Sequence, residues 1–295
     1  MTRRFLPVTF ALALCAPVAL AQQPVNKRVA LAPDASIRVF NLVGSIHVTG
    51  WDKDSLAVTG TLSPGAGKLF YFGGGSRGVK LGVEAPDGQE PDGPSNLEVF
   101  VPARSKVWIK AATAEIVVSS FTGSLDLYSV SGAIKVSGSP AQVYAESMDG
   151  NVEVSGNVAW VRAKTASGSL TITGGGEDVG ATTVSGTMTV QGAHVVRGRF
   201  ESVTGDIRFE GDVDRGASLT FESHSGVIEL RLPPSVSADF DVNEFQGKIV
   251  NQLSKAVARP VRDRGGQELS FTAGEGGADV TIRNFKGAVI LGRKK

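Results

Sequence analysis

The chain has almost no cysteine. Cys15 is the single cysteine among 295 residues, and it lies in the apolar N-terminal segment. Without that segment the chain has no disulfide, no thiol nucleophile and no thiolate metal site. The three histidines, His47, His194 and His224, are scattered, and no pair has the spacing of metal ligands. The sequence therefore predicts neither a cofactor nor a metal, and no catalytic residues.

An excess of charge of one sign is also missing. The chain has 30 basic and 29 acidic residues, and removal of Arg3 and Arg4 with the N-terminal segment leaves 28 against 29. This balance favours neither a nucleic-acid partner nor an anionic membrane surface. No later apolar run is long enough to cross a bilayer, so no transmembrane span is expected in the mature chain.

The N-terminus has the features of a secretory signal peptide. Residues 1–21 have a basic start, an apolar stretch over 5–20 and an A-x-A end at Ala19–Ala21. Leu14 precedes Cys15, where a lipoprotein signal requires a small residue. We expect cleavage near Ala21 and export to the periplasm or the cell surface.

The dominant feature that is present is a repeat. The phrase is a small polar residue, a glycine and then alternating apolar residues, as in SVSGAIKVSG (129–138) and TASGSLTITG (165–174). We call its recurring glycines the marker glycines: Gly132, Gly150, Gly168, Gly186, Gly205, Gly226 and Gly247. Their spacings are 18, 18, 18, 19, 21 and 21 residues. A fixed period of this length is typical of a solenoid, in which each repeat, or rung, buries its apolar face against its neighbours.

Each rung is predicted to contain about two short strands and two turns. The second residue after each marker glycine is apolar, and period-two alternation predicts that these side chains form one buried column: Ile134, Val152, Leu170, Met188, Ile207 and Ile228. A second glycine follows in most rungs, for example Gly138 and Gly156, where a turn needs positive φ or a close approach of the next rung. The fold class is therefore all-β, a parallel β-solenoid with about 18–21 residues per rung.

One inward position of the repeat is polar. The residue three places before each of the first six marker glycines has a hydroxyl: Ser129, Ser147, Thr165, Thr183, Ser202 and Ser223. We interpret this hydroxyl column as a row that satisfies its own members or the backbone of the turns. A row of nucleophiles is the less favoured interpretation, because no base lies beside them in the sequence.

We expect one domain over residues 22–295. Residues 22–120 contain less regular strands, 121–250 the regular rungs, and 251–295 an irregular excursion followed by the final strands at 278–292. The stretch 85–96 is predicted to be an exposed loop rich in proline and glycine. The excursion at 252–268 is predicted to be mobile or to cover the last rung, since a bare strand edge would pair with other chains.

These segments together resemble a known family. The phrases VTGWDKDSLAVTGTL (48–62) and LEVFVPARSKVWIKAATAEIVVSSFTGSLDL (97–127), with the repeat, are similar to the bacterial putative-adhesin domain family, exported β-solenoids of unknown function. The resemblance covers roughly residues 30 to 292. It implies a β-helical domain at the cell envelope and supplies no catalytic residues.

Two classes of function remain open. The first is an exported structural or binding module that contacts an unknown glycan or protein of the envelope, including a partner in envelope-stress signalling. The alternative is a carbohydrate-active enzyme, a polysaccharide lyase or hydrolase. Its best acidic candidates are Glu201 and Glu222, in matching F-E-S phrases, with Glu146 further along the same column beyond Lys164 and Thr182. His224 is expected to be a half-buried histidine at a corner of the rung.

Overall fold

The computed structural model describes residues 22–85, 91–261 and 265–294. The predicted signal peptide lies outside the described residues. Within them the chain forms a short 3-10 helix at Ala66–Lys68 and the following strands: β1 (Gln23–Ala30), β2 (Ser36–Asn41), β3 (Gly44–Trp51), β4 (Ser55–Leu62), β5 (Phe70–Gly75), β6 (Gly78–Val83), β7 (Ser95–Pro102), β8 (Lys106–Ala111), β9 (Glu115–Phe121), β10 (Ser124–Ser129), β11 (Ile134–Gly138), β12 (Gln142–Ser147), β13 (Val152–Asn157), β14 (Trp160–Thr165), β15 (Leu170–Thr183), β16 (Met188–Ser202), β17 (Ile207–Leu232), β18 (Ala238–Glu244), β19 (Lys248–Asn251), β20 (Arg259–Pro260), β21 (Gln267–Ala273) and β22 (Asp279–Arg293). No helix of the described part is long and apolar enough to cross a membrane.

Parallel pairing of the rungs builds two ladders of strands. The marker ladder, which contains the strands after the marker glycines, has the spatial order β7–β3–β9–β11–β13–β15–β16–β17–β22–β19. The companion ladder has the order β6–β2–β8–β10–β12–β14–β15–β16–β17–β22–β18. Inward side chains of the two ladders share one core, in which the rings of Phe209 and Phe221 lie 5.5 Å apart. The predicted β-solenoid is confirmed.

The predicted core column is confirmed as well. Its first five members pair from rung to rung, in the order Ile134, Val152, Leu170, Met188 and Ile207. Ile228 has the corresponding place on the following rung and pairs with Val289 of β22. All seven side chains are at most 1% exposed. At about 1.5–3 kcal/mol for each buried aliphatic side chain, such columns stabilise the stack without a disulfide.

The prediction of two short strands and two turns in each rung is correct for only part of the chain. Over β8–β14 each rung has two separate short strands, as the sequence predicts. Over residues 170–232 and 279–293 the prediction is wrong, because β15, β16, β17 and β22 extend for 14, 15, 26 and 15 residues through the position of the second turn. The last rung, formed by β18 and β19, again has two separate strands. Register shifts between Thr173 and Gly176, between Gln191 and Ala193 and between Val195 and Arg197 absorb the differences in length between these rungs.

Glycine is required where successive turns touch. A Cβ built on Gly168 would lie 2.2 Å from the carbonyl oxygen of Gly150, closer than any side chain tolerates. The second glycine of the rung serves a different need, since Gly156 has φ of +115°. Both predicted roles of glycine are therefore present.

At each end of the solenoid one segment is inserted between strands that are distant in the sequence. The first rung of the chain, formed by β2 and β3, lies between β6–β7 on one side and β8–β9 on the other. At the other end β22 is inserted between β17 and the strands β18 and β19. The inserted segments, β2–β3 and β22, therefore pair on both sides, and neither can separate without breaking two sets of backbone hydrogen bonds.

This insertion corrects one prediction from the repeat. The spacing of 21 residues predicts that the rung of Gly247 stacks on the rung of Gly226. Instead Gly287 stands between them: a Cβ on Gly247 would meet the carbonyl oxygen of Gly287 at 1.8 Å, and a Cβ on Gly287 would meet that of Gly226 at 2.2 Å. The sequence from 278 to 292 thus supplies the next-to-last rung, although it comes last in the chain.

Antiparallel strands cover both ends. Strands β4 and β1 add to β7, and β5 adds to β6. Strands β21 and β20 add to β18, so the described part of the stretch 252–268 does cover the last rung. The predicted loop 85–96 is too long, because Ser95 and Asn96 already belong to β7.

A pair of substitutions tests the inside and outside of a rung. Met188→Asp places an unpaired charge at a fully buried position, whereas Thr189 is partly exposed on the outer face. We expect Met188→Asp to lower the free energy of unfolding by more than about 4 kcal/mol and Thr189→Asp to change it by less than about 0.5 kcal/mol. Thermal and denaturant unfolding measure both, and equal stability of the two variants would contradict the assignment.

Candidate functional site

The hydroxyl column lies inside the solenoid and serves the turns. Ser147 Oγ donates to the carbonyl oxygen of Gly132 at 3.2 Å and accepts the backbone N–H of Gly150 at 3.0 Å. Thr165 repeats both bonds one rung on, and Thr183 accepts the N–H of Gly186. The structural interpretation is confirmed for these three members of the column, whose hydroxyls bond to the backbone of the turns.

The column changes character near its C-terminal end. Ser202 and Ser223 are followed in space by Asn284 of β22 and then by Glu244 of β18. All four side chains are at most 7% exposed, and each has an oxygen without a hydrogen-bond partner: Ser202 Oγ, Ser223 Oγ, Asn284 Oδ1 and Glu244 Oε2. The rungs from Ser202 onward therefore bury a polar cluster that the rungs of Ser147, Thr165 and Thr183 do not have.

Glu244 is the titratable member of this cluster. Its carboxyl is 1% exposed, and Oε1 accepts the backbone N–H of Gln246 at 3.3 Å. Burial raises the pKa of Glu244 above its ordinary value of 4.5, against the smaller opposing effects of the bonds from Gln246 and Asn284. The folded protein therefore holds this proton at a pH where the unfolded chain has released it.

The raised pKa makes stability depend on pH. Below about pH 4.5 both states bind the proton and burial carries no ionisation cost; as pH rises above that value the unfolded state loses its proton first and stability falls. We expect Glu244→Gln to melt several degrees above wild type near neutral pH and at nearly the same temperature near pH 4. Thermal unfolding followed by circular dichroism across this range measures the difference.

The matched control is Glu268→Gln, which removes an exposed carboxylate from the neighbouring strand β21. Its melting temperature should follow that of wild type at every pH. If Glu244→Gln is less stable than wild type at neutral pH, the buried carboxylate contributes a stabilising interaction and the expectation fails.

The acidic column predicted from sequence is assembled as expected. Glu146 pairs with Lys164, Lys164 with Thr182, Thr182 with Glu201 and Glu201 with Glu222, all on the outer face of the companion ladder. Glu146 lies three rungs from Glu201, with Lys164 and Thr182 between them, and its carboxylate accepts the hydroxyl hydrogen of Tyr144. Only Glu201 and Glu222 are neighbours.

A guanidinium joins these two glutamates. Arg199 Nε donates to Glu201 Oε1 at 2.6 Å, and another nitrogen of Arg199 contacts Glu222 Oε2 at 3.2 Å. The two carboxylate side chains are 34% and 38% exposed. A glycosidase pair needs one carboxyl that holds a proton while the other is ionised. Two solvated carboxylates on one arginine form an ion-pair network of the wet face instead.

The three histidines have different surroundings. His47 Nδ1 lies 2.8 Å from Glu98 Oε1, and His194 Nδ1 lies 3.2 Å from Asp214 Oδ1. Among the described residues no group of three or more His, Asp, Glu or Cys is arranged to hold a metal ion. His224 is at the predicted corner but is exposed rather than half-buried, and its ring stacks on Phe285 with centroids 4.9 Å apart.

His224 is part of an exposed apolar ridge along this corner. The residue that follows each hydroxyl of the column points outward, and successive members are joined by the backbone bonds of the turns. We call the corner ridge the row Val130, Met148, Ala166, Val184, Val203, His224, Phe285 and Phe245. Met148 is 57% exposed, Val184 48% and Phe245 43%. At about 4.8 Å per rung the ridge is about 34 Å long.

A shallow groove lies beside the aromatic end of the ridge. It has a volume of about 420 Å³ and is open to solvent. Its lining has three groups of residues: the charged residues Glu201, Glu222 and Arg283, the column members Ser202, Ser223 and Asn284, and the ridge residues His224, Phe245 and Phe285. The groove thus combines ionic groups on one side with aromatic surface on the other.

The comparisons with known proteins fit this architecture. The family model of Toastrack DUF4097 matches residues 47–290. The chain belongs to the Toastrack DUF4097 family. None of the curated proteins matches the chain. The resemblance to a putative-adhesin domain family is confirmed by this match.

Solved structures similar to the Toastrack chain come from bacteria. A putative adhesin of Bacteroides fragilis is 11% identical, with a TM-score of 0.46 over 92% of this chain and 98% of its own. A putative adhesin of Parabacteroides distasonis is 14% identical, with a TM-score of 0.38 over 91% and 96%. A protein of the same species titled a putative lipid binding protein is 9% identical, with a TM-score of 0.35 over 92% and 95%.

The corner ridge was not recognised as a surface from the sequence of this Toastrack chain. Its column was visible, because Met148, Ala166, Val184, Val203 and His224 occupy one place in the repeat. The missing information was direction, since a residue next to an inward hydroxyl at a corner has no fixed side until the turn is built. In the sequence pattern the column ends at His224. Phe285 and Phe245 continue it only because β22 pairs with β17 on one side and with β18 on the other.

Proposed function

We propose that this protein is an exported, non-catalytic binding module of the cell envelope, formed by one β-solenoid domain over residues 22–295. The observation that carries the proposal is the corner ridge, an apolar surface that no part of the described chain covers over Val130 to Phe245. Exposed apolar rows of this extent are typical of interaction surfaces. The signal peptide predicted at 1–21 supports the location.

The ridge is best matched to a protein partner. An apolar row gains from contact with apolar side chains, whereas the hydroxyl-rich surface of a glycan offers less. An anionic membrane surface would require a basic border. Only one of the eight residues that follow the ridge members along the chain is basic, Lys286; the others are Ser131, Asp149, Ser167, Ser185, Thr204, Ser225 and Gln246.

The enzyme alternative gains no support from the acidic pair. Glu201 and Glu222 are partly exposed and bind the same guanidinium, and the cluster with unpartnered oxygens lies inside the rungs. Neither arrangement provides a protonated acid opposite an ionised base.

The first test measures catalysis. Wild type, a Glu201→Gln/Glu222→Gln double variant and the control Glu268→Gln are incubated with envelope polysaccharides, and new reducing ends and unsaturated products are quantified. We expect no turnover from any of them. Activity in wild type and in the control that disappears in the double variant would promote the enzyme alternative.

The second test measures docking on the ridge. Val184→Asp/Val203→Asp adds two charges at exposed positions, and Thr171→Asp/Thr189→Asp adds two charges on the outer face of the marker ladder in neighbouring rungs. We expect the ridge variant alone to bind at least about tenfold more weakly to solubilised envelope proteins, since each burial of a charge is costly. Equal binding by all three proteins, or binding only to protein-free lipid vesicles, would contradict the proposal.

A further inference from the structure

A second unusual surface lies on the outer face of the companion ladder, near its N-terminal end. Four aromatic side chains on consecutive rungs form what we call the aromatic ladder: Phe40, Trp108, Tyr128 and Tyr144. Neighbouring ring centroids are 5.2, 5.8 and 5.4 Å apart. On the next three rungs the same two positions hold Arg162 and Lys164, then Gly180 and Thr182, then Arg199 and Glu201. The aromatic residues of these two columns are therefore concentrated in one patch.

The rings point away from the core. Their neighbours along the strands, Val39, Val107, Leu127 and Ala145, are at most 1% exposed and fill the interior. The four aromatic residues alternate with them and are half-buried. Packing of the core therefore does not require aromatic residues at these positions.

Charged groups complete a checkerboard with the rings. In one column of the outer face Arg38, Trp108, Asp126 and Tyr144 pair in succession. In the adjacent column the succession is Phe40, Lys110, Tyr128 and Glu146. Each rung thus presents one ring and one charged group, and the ring changes side from rung to rung.

The polar groups of the patch include both signs and both hydrogen-bonding roles. Arg38 and Lys110 are exposed donors, and Asp126 is an exposed acceptor. Lys164, on the next rung, holds its ammonium 5.4 Å from the ring centroid of Tyr144. At the other end Lys80 lies 4.8 Å from the centroid of Phe40.

We propose that the aromatic ladder is a binding platform for a linear, uncharged polysaccharide strand. A sugar ring has an apolar C–H face and a rim of hydroxyls, and this pattern matches partly exposed aromatic rings that alternate with donors and acceptors. Three steps of about 4.8 Å give the ladder a length suited to a short oligosaccharide segment. The inference goes beyond the ridge, but it shares the premise that the protein is a binding module.

Other polymers fit the patch less well. Single-stranded nucleic acid also stacks on aromatic side chains, but it needs a positively charged groove along its phosphates. Asp126 lies between Trp108 and Tyr144 and would repel a phosphate or a uronate at the centre of the platform. A neutral chain gains from both the carboxylates and the ammonium groups.

The test is calorimetric titration of the mature protein with defined polymers. The neutral probes are cellohexaose, chitohexaose, laminarihexaose and mannohexaose; the anionic probes are polygalacturonate and oligo(dT). We expect at least one neutral probe to bind, and Trp108→Ala and Tyr128→Ala each to weaken that binding at least about tenfold. Trp51→Ala, which removes a half-buried tryptophan stacked on Phe100 in the marker ladder, should leave it unchanged.

Exposed polar variants keep the test valid if a ring substitution lowers stability. Asp126→Asn and Lys110→Ala alter exposed side chains only, and we expect each to weaken binding of the same probe by about threefold to tenfold. Binding that survives all four ladder variants overturns the platform. So does the failure of every neutral probe, or a preference for an anionic one.

The outcome is separable from that of the ridge. Phe285→Ala removes a ring of the corner ridge and should leave glycan affinity unchanged. Glycan binding lost in Phe285→Ala but kept in Trp108→Ala would move the glycan site to the ridge and overturn the platform while the binding role stands. If no glycan binds, and binding to envelope proteins is lost only in the ridge variant, the proposed function stands and the ladder inference is overturned.

Discussion

The structure depends on the close contact between one turn and the next. Parallel strands hydrogen-bond at about 4.8 Å, so the turns that join them must stack at the same distance. The marker glycines allow this, because a Cβ on Gly186 would lie 1.8 Å from the carbonyl oxygen of Gly168. The inward hydroxyls, such as Thr183 bonded to the N–H of Gly186, satisfy the turn backbone where no strand partner is available.

A stack of parallel strands leaves an unpaired strand edge at each of its two ends. In this chain, segments inserted between other strands build both ends. The first rung enters between later strands, and β22 enters between β17 and β18–β19. Antiparallel strands then pair with β7, β6 and β18, so these outermost parallel strands are not free edges. The insertion also explains the polar cluster, because Asn284 and Glu244 extend the hydroxyl column with larger side chains that the turns do not fully satisfy.

Since alternate residues fill the core, the outer positions of each rung can vary without cost to the stack. The chain uses this freedom differently along its length: aromatic residues alternate with charges in the early rungs, and Arg199 joins Glu201 and Glu222 in the later ones. The corner ridge runs beside both regions. Three chemically different surfaces thus share one rigid scaffold, in which their spacing is set by the strand separation.

The sequence by itself determined the repeat and everything that follows from local alternation. The position of Met188 inside the core and the order of Glu146, Lys164, Thr182, Glu201 and Glu222 follow from an 18- to 21-residue period, because parallel pairing places equivalent residues side by side. Only the tertiary structure decided which rung is the neighbour of Gly226, since insertion of Gly287 leaves no trace in local patterning. It also decided that Val184 points outward, because the direction of a corner residue depends on the geometry of the turn. The contact between Trp108 and Tyr128 was likewise decided by the tertiary structure, because two rings on a diagonal meet through lateral packing rather than through spacing along the chain.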